Sequence, residues 1–184
     1  YEEVMLNKCE NNNIPVSVIS SGIKNRIVSL YNLTGKNIVV ISNGVDTDVP
    51  NSINQIEVRK KYGIREDEKI IISIGNITEN KNQRQAIEAL ALIPVEERRL
   101  LKLLIAGKDT LEGILQRRVK ALGLENQVIF LGFLDKSDLN EIYSIADLNV
   151  FTSKNEGFGL PIIEGFLRGV PVVSFSDLDA YNDM

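Results

Sequence analysis

The chain has 184 residues, 43% apolar and 25% charged, a globular balance that excludes a mostly disordered or fibrous chain. It contains no histidine and a single cysteine, Cys9. Imidazole-based hydrolysis, His-ligated zinc, phosphohistidine relays, disulfide frameworks and Cys-rich metal sites are therefore excluded. A net charge of −4 argues against a general nucleic-acid role, and no apolar run approaches the roughly 20 residues of a membrane-spanning helix.

The chain starts at Tyr1 with no signal-peptide pattern after it, which reads as a piece of a longer protein from a reducing cytoplasm. A first helix carries Cys9 near Val4, Met5 and Leu6, where a buried structural thiol is expected. Residues 16–20 read as a strand, and Ile23, Ile27, Leu30 and Tyr31 then recur on one helical face. A second strand over 37–42 ends in the turn dipeptide Asn43-Gly44. Residues 44–54 have linker composition, and a short helix over 55–62 stops at Gly63. Five apolar strands follow, at 69–74, 101–106, 127–131, 148–151 and 170–175, with one helix expected in each gap. Ala86, Ile87, Leu90 and Ile93 line the first of these helices. Leu111, Ile114, Leu115, Val119 and Leu122 line the second, and Leu139, Ile142, Tyr143 and Ala146 the third. Strands apolar on both faces and separated by helices imply a doubly wound parallel α/β sheet, with ligands at the carboxyl ends of its strands. The expected division is 1–43 as the tail of a preceding domain, 44–54 as linker, and 55–184 as a Rossmann-like domain incomplete at its C-terminal end.

The most informative stretch is Glu156-Gly157-Phe158-Gly159-Leu160-Pro161-Ile162-Ile163-Glu164, which follows the fourth main strand and opens a helix. Pro161 suits a first helical turn. Two glycines at a helix start let backbone N–H groups approach a ligand, and the helix terminus favours an anion such as a diphosphate. Glu164, within the first turn or so, suits the hydroxyls of a ribose, and Glu156 at the strand end suits a sugar. On spacing alone, a Gly-rich turn with two solvated carboxylates explains the stretch equally well. The G-x-G lacks the third glycine of a dinucleotide fingerprint.

This stretch resembles the E-x7-E signature of the retaining family 4 glycosyltransferases, which have the two-domain GT-B fold. Further segments match in order: Ile41-Ser42-Asn43-Gly44-Val45-Asp46-Thr47-Asp48, Ser73-Ile74-Gly75-Asn76 followed by Lys81, Leu104-Ile105-Ala106-Gly107, Val128-Ile129-Phe130-Leu131-Gly132-Phe133, and Pro171-Val172-Val173 after Gly169. The likeness runs over residues 38–176. It implies that the chain is the donor-binding C-terminal half of a hexosyltransferase-type enzyme of polysaccharide or glycoconjugate biosynthesis. Such an enzyme moves a sugar from a nucleotide diphosphate sugar to a hydroxyl acceptor with retention.

By the same resemblance, backbone at Gly157, Phe158, Gly159 and Leu160 holds the diphosphate and Glu164 the ribose. Glu156 contacts the donor sugar, and Lys81 neutralises the leaving diphosphate. Gly75 lets its loop approach the phosphates, and Phe133 and Leu134 lie where the nucleobase is held. Asn76 stands where family members often carry arginine; it brings a hydrogen-bond donor but no charge, with Arg84 as an alternative cation. The implied partners are a UDP- or GDP-sugar and an acceptor held mainly by a missing N-terminal domain, with no cofactor or metal. The implied location is the cytoplasm, or the inner membrane face through the missing part. The isolated fragment is expected to be inactive. A non-catalytic Rossmann-like nucleotide- or partner-binding module is the alternative, and a receiver-like domain is disfavoured because no acidic cluster follows the first main strand. Asp46-Thr47-Asp48 reads as a turn rather than a metal site, and the sequons at Asn32 and Asn76 as chance. The Glu96-Glu97-Arg98-Arg99 run reads as a solvated loop or helix end.

Overall fold

The computed structural model of the chain describes residues 2–50 and 52–175, so residues 176–184 of the expected second domain lie outside it. The chain separates into two compact units. One contains the residues up to Val45 together with Asn155–Leu160, the other Asp46–Lys154 and Pro161–Phe175.

In the first unit, α1 (Glu2–Asn11), β1 (Val16–Val18), α2 (Ser21–Tyr31) and β2 (Ile38–Val40) form a two-stranded parallel arrangement pairing Val16 with Ile38 and Val18 with Val40. Its small core is Val18, Leu33 and Ile38, flanked by Leu6, Ile23, Ile27 and Val28. The Ser20 hydroxyl caps α2 by accepting from the Ile23 N–H at 3.1 Å, and Asn32 ends the helix in a left-handed conformation. The Glu10 carboxylate accepts from the Thr34 N–H and hydroxyl and from the Gly35 N–H, which holds its pKa below the usual value. One expectation fails here, the burial of Cys9, and one apolar member of the α2 face lies open. Leu30 is 67% exposed, and Cys9 is half-buried because α1 buries none of its residues fully.

In the second unit α3 (Gln55–Lys61) starts where the Asn54 side chain accepts from the N–H groups of Ile56 and Glu57. The strands β3 (Lys69–Ile74), β4 (Leu101–Ala106), β5 (Val128–Gly132), β6 (Leu148–Phe151) and β7 (Val172–Ser174) form one parallel sheet in the order β5-β4-β3-β6-β7. The helices α4 (Gln83–Leu92), α6 (Ile114–Ala121), α7 (Lys136–Ile145) and α8 (Leu160–Leu167) connect them, with a short α5 (Val95–Arg98). The gap between β3 and β4 thus holds two helices where one was expected. Ile93 is extended before Pro94, which disfavours helix in the residue it follows, and α5 carries the Glu96-Glu97-Arg98 run. The last strand is shorter than 170–175, and α6 begins only after Gly113, leaving Leu111 in the preceding loop.

Alternation along the strands builds a core on each face. Ile70, Ile72 and Leu104 pack with Val58 of α3 and Ile142, Tyr143 and Ile145 of α7. Leu103 and Ile105 pack with Ala86, Ile87 and Leu90 of α4 and Leu115 and Val119 of α6. Each fully buried aliphatic side chain contributes about 1.5–3 kcal/mol. The strands' carboxyl ends, and the change of direction between β3 and β6, are therefore fixed by two independent cores. Among the described residues, no helix is long and apolar enough to cross a membrane.

Candidate functional site

The second unit carries Gly75, Asn76, Lys81, Phe133, Leu134 and Glu164, whereas Glu156, Gly157, Phe158, Gly159 and Leu160 belong to the first.

β3 and β6 are the neighbouring strands from which the chain leaves in opposite directions, and the loops that follow them are joined. The Thr152 hydroxyl donates to the Lys81 carbonyl at 3.0 Å, and the Lys154 N–H donates to the Asn80 carbonyl at 2.8 Å. The Lys81 N–H donates to the Thr78 hydroxyl, its ammonium lies 5.2 Å from the centre of the Phe151 ring, and its stem runs beside Gly75. Lys81 is thereby half-buried with its backbone pinned on both sides.

The loop after β3 is also fixed to the loop after β4. The Gly75 N–H donates to the Ala106 carbonyl, the Ile77 N–H to the Lys108 carbonyl and the Thr110 N–H to the Ile77 carbonyl. Gly75 and Gly107 have φ of 138° and 145°, which side-chain-bearing residues rarely adopt, and a Cβ on Gly107 would lie 2.2 Å from the Gly75 carbonyl oxygen. Asn76, expected as a donor to a ligand, instead uses its side-chain oxygen to accept from the Lys108 N–H at 3.0 Å, so it bridges the two loops. Arg84 is engaged with Glu88 at 2.8 Å rather than turned to this loop. Between the loops after β3, β4 and β5 lies a cavity of about 140 Å³ lined by Gly75, Asn76, Gly107, Phe133 and Leu134, with Phe133 79% exposed. The sequence-predicted Gly75, Asn76, Phe133 and Leu134 therefore meet in one place.

Glu164 is the fifth residue of α8, at the end of its first turn or so as expected. The Tyr143 hydroxyl donates to its Oε2 at 3.2 Å and contacts the Pro161 carbonyl at 3.3 Å. Burial, followed by the Glu164 charge, pushes the Tyr143 pKa far up, so the phenol stays a donor. Arg168 lies 4.8 Å over the Tyr143 ring and donates to the Glu164 carbonyl and to the Asn140 side chain. Asn149, fully buried, donates to the Pro161 carbonyl at 2.8 Å. Asp46, set aside as a metal ligand, is paired with Lys136 and accepts from the Asp48 N–H in a turn. Among the described residues no cluster of three acidic or thiol groups could hold a metal ion.

In the first unit Glu156 is half-buried and Phe158 is buried. A Cβ at Gly157 would meet Ile19 at 3.1 Å and Ile23 of α2 at 3.4 Å, so the segment lies close against the start of α2, and the Arg26 guanidinium donates to the Asn155 side chain. Gly159, with φ of 78°, directly precedes α8.

Sequence reasoning missed Gln83 and Thr152, read Tyr143 only as a helix-face residue, and read Gly107 only as part of a matching segment. Of the two missed, only Gln83 had a legible signal: it occupies a position of the apolar stripe continued by Ala86, Ile87 and Leu90.

A parallel sheet with joined loops at its switch point and an open cavity beside them defines a Rossmann-like domain. Residues 54–181 match the family described as glycosyl transferases group 1, and the chain belongs to that family. It is 33% identical over 162 residues to the uncharacterized glycosyltransferase MJ1607 of Methanocaldococcus jannaschii, covering 86% of this chain and 41% of that protein. It is 32% identical over 158 residues to the N-acetyl-alpha-D-glucosaminyl L-malate synthase of Bacillus anthracis, covering 86% and 40%. The structure of HepE from Anabaena in complex with UDP-glucose superposes with a TM-score of 0.82 at 26% identity, over 100% of this chain and 52% of that one. The chain thus spans about two fifths of the length of the curated relatives it matches.

Proposed function

We propose that this chain carries the donor-binding half of a retaining glycosyltransferase that moves a hexosyl group from a nucleotide diphosphate sugar to a hydroxyl acceptor. The observation that carries this reading is the pinned loop at the switch point. Backbone of residues 75–82 is held by two neighbouring loops beside an open cavity, and the Lys81 ammonium lies 5.2 Å from the centre of the Phe151 ring. Fixed donors and a fixed cation are what a departing diphosphate requires, because negative charge grows on it as the anomeric C–O bond breaks. HepE, in complex with UDP-glucose, supports a nucleotide-sugar donor.

In this reading Lys81 faces the leaving diphosphate and the α8 N-terminus adds partial positive charge, so no metal ion is needed. Glu164, oriented by Tyr143, accepts from the ribose hydroxyls. The Phe133–Leu134 edge of the cavity takes the base, and its Gly75–Asn76 edge faces the diphosphate. Glu156 contacts the sugar and the backbone at Gly157, Phe158, Gly159 and Leu160 takes the diphosphate, roles that rest on the family resemblance. The acceptor, and any attachment to a membrane face, belong to parts of the protein beyond this chain, and this chain alone transfers almost no sugar.

Calorimetric titration of UDP and GDP into this chain and into a Glu164→Ala variant tests the reading. One nucleotide should bind the unmodified chain, with roughly tenfold or greater loss in the variant, the worth of charge-assisted hydrogen bonds. A well-folded chain that binds neither nucleotide overturns the donor assignment.

A further inference from the structure

Gln83 is the first residue of α4, is 2% exposed, and stands where its stripe would otherwise be apolar. Its side-chain amide donates to two consecutive carbonyls, of Gly75 at 3.0 Å and of Asn76 at 3.2 Å. Its oxygen has no hydrogen-bond partner. A buried polar side chain left half-satisfied is costly, and a residue chosen only for packing would be apolar here.

What the contact achieves follows from peptide geometry. No peptide bond in the described chain is cis, so each C=O and the N–H that follows it lie on opposite edges of a planar unit. With the Asn76 carbonyl turned to Gln83, the Ile77 N–H must point the other way, and it does, donating to the Lys108 carbonyl at 2.9 Å. With the Gly75 carbonyl turned to Gln83, the Asn76 N–H must also point away from α4. That N–H has no partner among the described residues, and Asn76 lines the cavity. Gln83 supplies the hold on this peptide from the α4 side, while Gly107 closes on it from the loop after β4.

We propose that Gln83 is a positioning residue that locks the Gly75–Asn76 peptide so that the Asn76 N–H serves as a hydrogen-bond donor to a phosphate oxygen of the bound nucleoside diphosphate. The inference rests on the donor-site reading above and adds to it a specific donor and the residue that aims it. No bond is made or broken; the effect is on the orientation of one dipole toward an anion.

The test uses the ¹⁵N-labelled chain, with UDP, GDP, uridine, guanosine and inorganic pyrophosphate as probes. In the unmodified chain, the diphosphate nucleotide that binds, and pyrophosphate, should move the Asn76 amide proton downfield, while the matching nucleoside should not. In Gln83→Met, which keeps the side-chain length without donors, that shift should vanish. Affinity for the diphosphate should fall about tenfold, and affinity for the nucleoside should stay unchanged. Gln83→Glu, which sets a carboxylate against the two carbonyls, should do the same or more. Unchanged diphosphate affinity in Gln83→Met, or equal losses for nucleotide and nucleoside, overturns the proposal. So does diphosphate binding by the unmodified chain that leaves the Asn76 amide unmoved, a result that needs no variant to fold. If the unmodified chain binds no nucleotide at all, the donor-site reading falls and this inference with it.

Discussion

The loop after β3 and the surroundings of Glu164 hold their functional groups by opposite means. Residues 75–82 are fixed by backbone hydrogen bonds to the loops after β4 and β6, and the side chains that assist, Asn76, Gln83 and Thr152, all bond to main-chain groups. Glu164 is instead held through a side-chain network in which Tyr143, Arg168 and Asn140 lean on one another. A main-chain cradle keeps its path through exchange of side chains that do not bond it, but depends on the glycines that let it form. A side-chain network is graded, because its members share the load and each can be removed singly.

The comparison is sharpest at Gly107. Alanine there would combine a φ of 145° with a Cβ 2.2 Å from the Gly75 oxygen, and backbone cannot yield as a side chain can. Gly107→Ala should destabilise the chain by about 2–5 kcal/mol in urea unfolding. Gly63→Ala is the control: φ is 65°, but no atom lies within 4 Å of the added Cβ, so the loss should stay near 1 kcal/mol. Equal losses would mean that conformational strain, not the close approach of the two loops, fixes the cradle. Lys81→Ala should leave the cradle standing, since the bonds from Thr152 and to Thr78 are made by the backbone of residue 81. It should still weaken UDP or GDP binding by roughly 10- to 100-fold, the worth of one charge-assisted contact, with nucleoside binding unchanged in calorimetry.

The same division explains what the sequence could reveal. Strands β3, β4 and β6 have the limits read from their apolar runs, because two buried faces leave a continuous run of Ile, Leu and Val. Gly75, Asn76, Phe133 and Leu134 were legible through strand ends and family spacing, and they meet around one cavity. The direction in which Asn76 points was not legible, since its partner, the Lys108 N–H, is 32 residues away. Tyr143 reads as core at helical spacing, and it is core; its second task, donating to Glu164, depends on a register between α7 and α8 that no local pattern encodes. The packing of residues 155–160 with the first unit was likewise invisible, because Gly157 carries no side chain to advertise the contact with Ile19.

Tyr143→Phe probes the network with the least disturbance. The ring still fills the α7 core and still lies under Arg168, and the Pro161 carbonyl keeps its bond from Asn149. What is removed is the hydroxyl, with its bond to Glu164 and its longer contact to the Pro161 carbonyl. Thermal unfolding should report a loss of about 1 kcal/mol, the net value of one hydrogen bond. Nucleotide affinity should drop severalfold, because Glu164 gains rotamers that do not face the ribose. Undiminished affinity would show that the α8 backbone alone orients the glutamate.

The smallest expected effect is on the acid limb of stability, and it separates the loops again. Asp109, in the loop after β4, accepts from the N–H groups of Leu111 and Gly113, and these bonds outweigh partial burial to hold its pKa below the ordinary carboxylate value. At Asp147, burial works in the opposite direction. The Ile70 N–H and the Lys69 ammonium prevail, and its pKa is lowered as well. A carboxyl whose folded pKa lies below its unfolded value, about 3.9 for aspartate, binds more protons in the unfolded chain. Its contribution is complete above the unfolded pKa and disappears as pH falls through the folded one. Stability should therefore be flat from about pH 7 to 5 and decline below about pH 4. Asp109→Asn cannot titrate, so it should lower stability at pH 7 yet lose less between pH 5 and 3 than the unmodified chain. Parallel acid limbs for the two proteins would remove Asp109 from the account of how the loop after β4 is held, leaving its backbone ties to Asn76 and Ile77 to carry it alone.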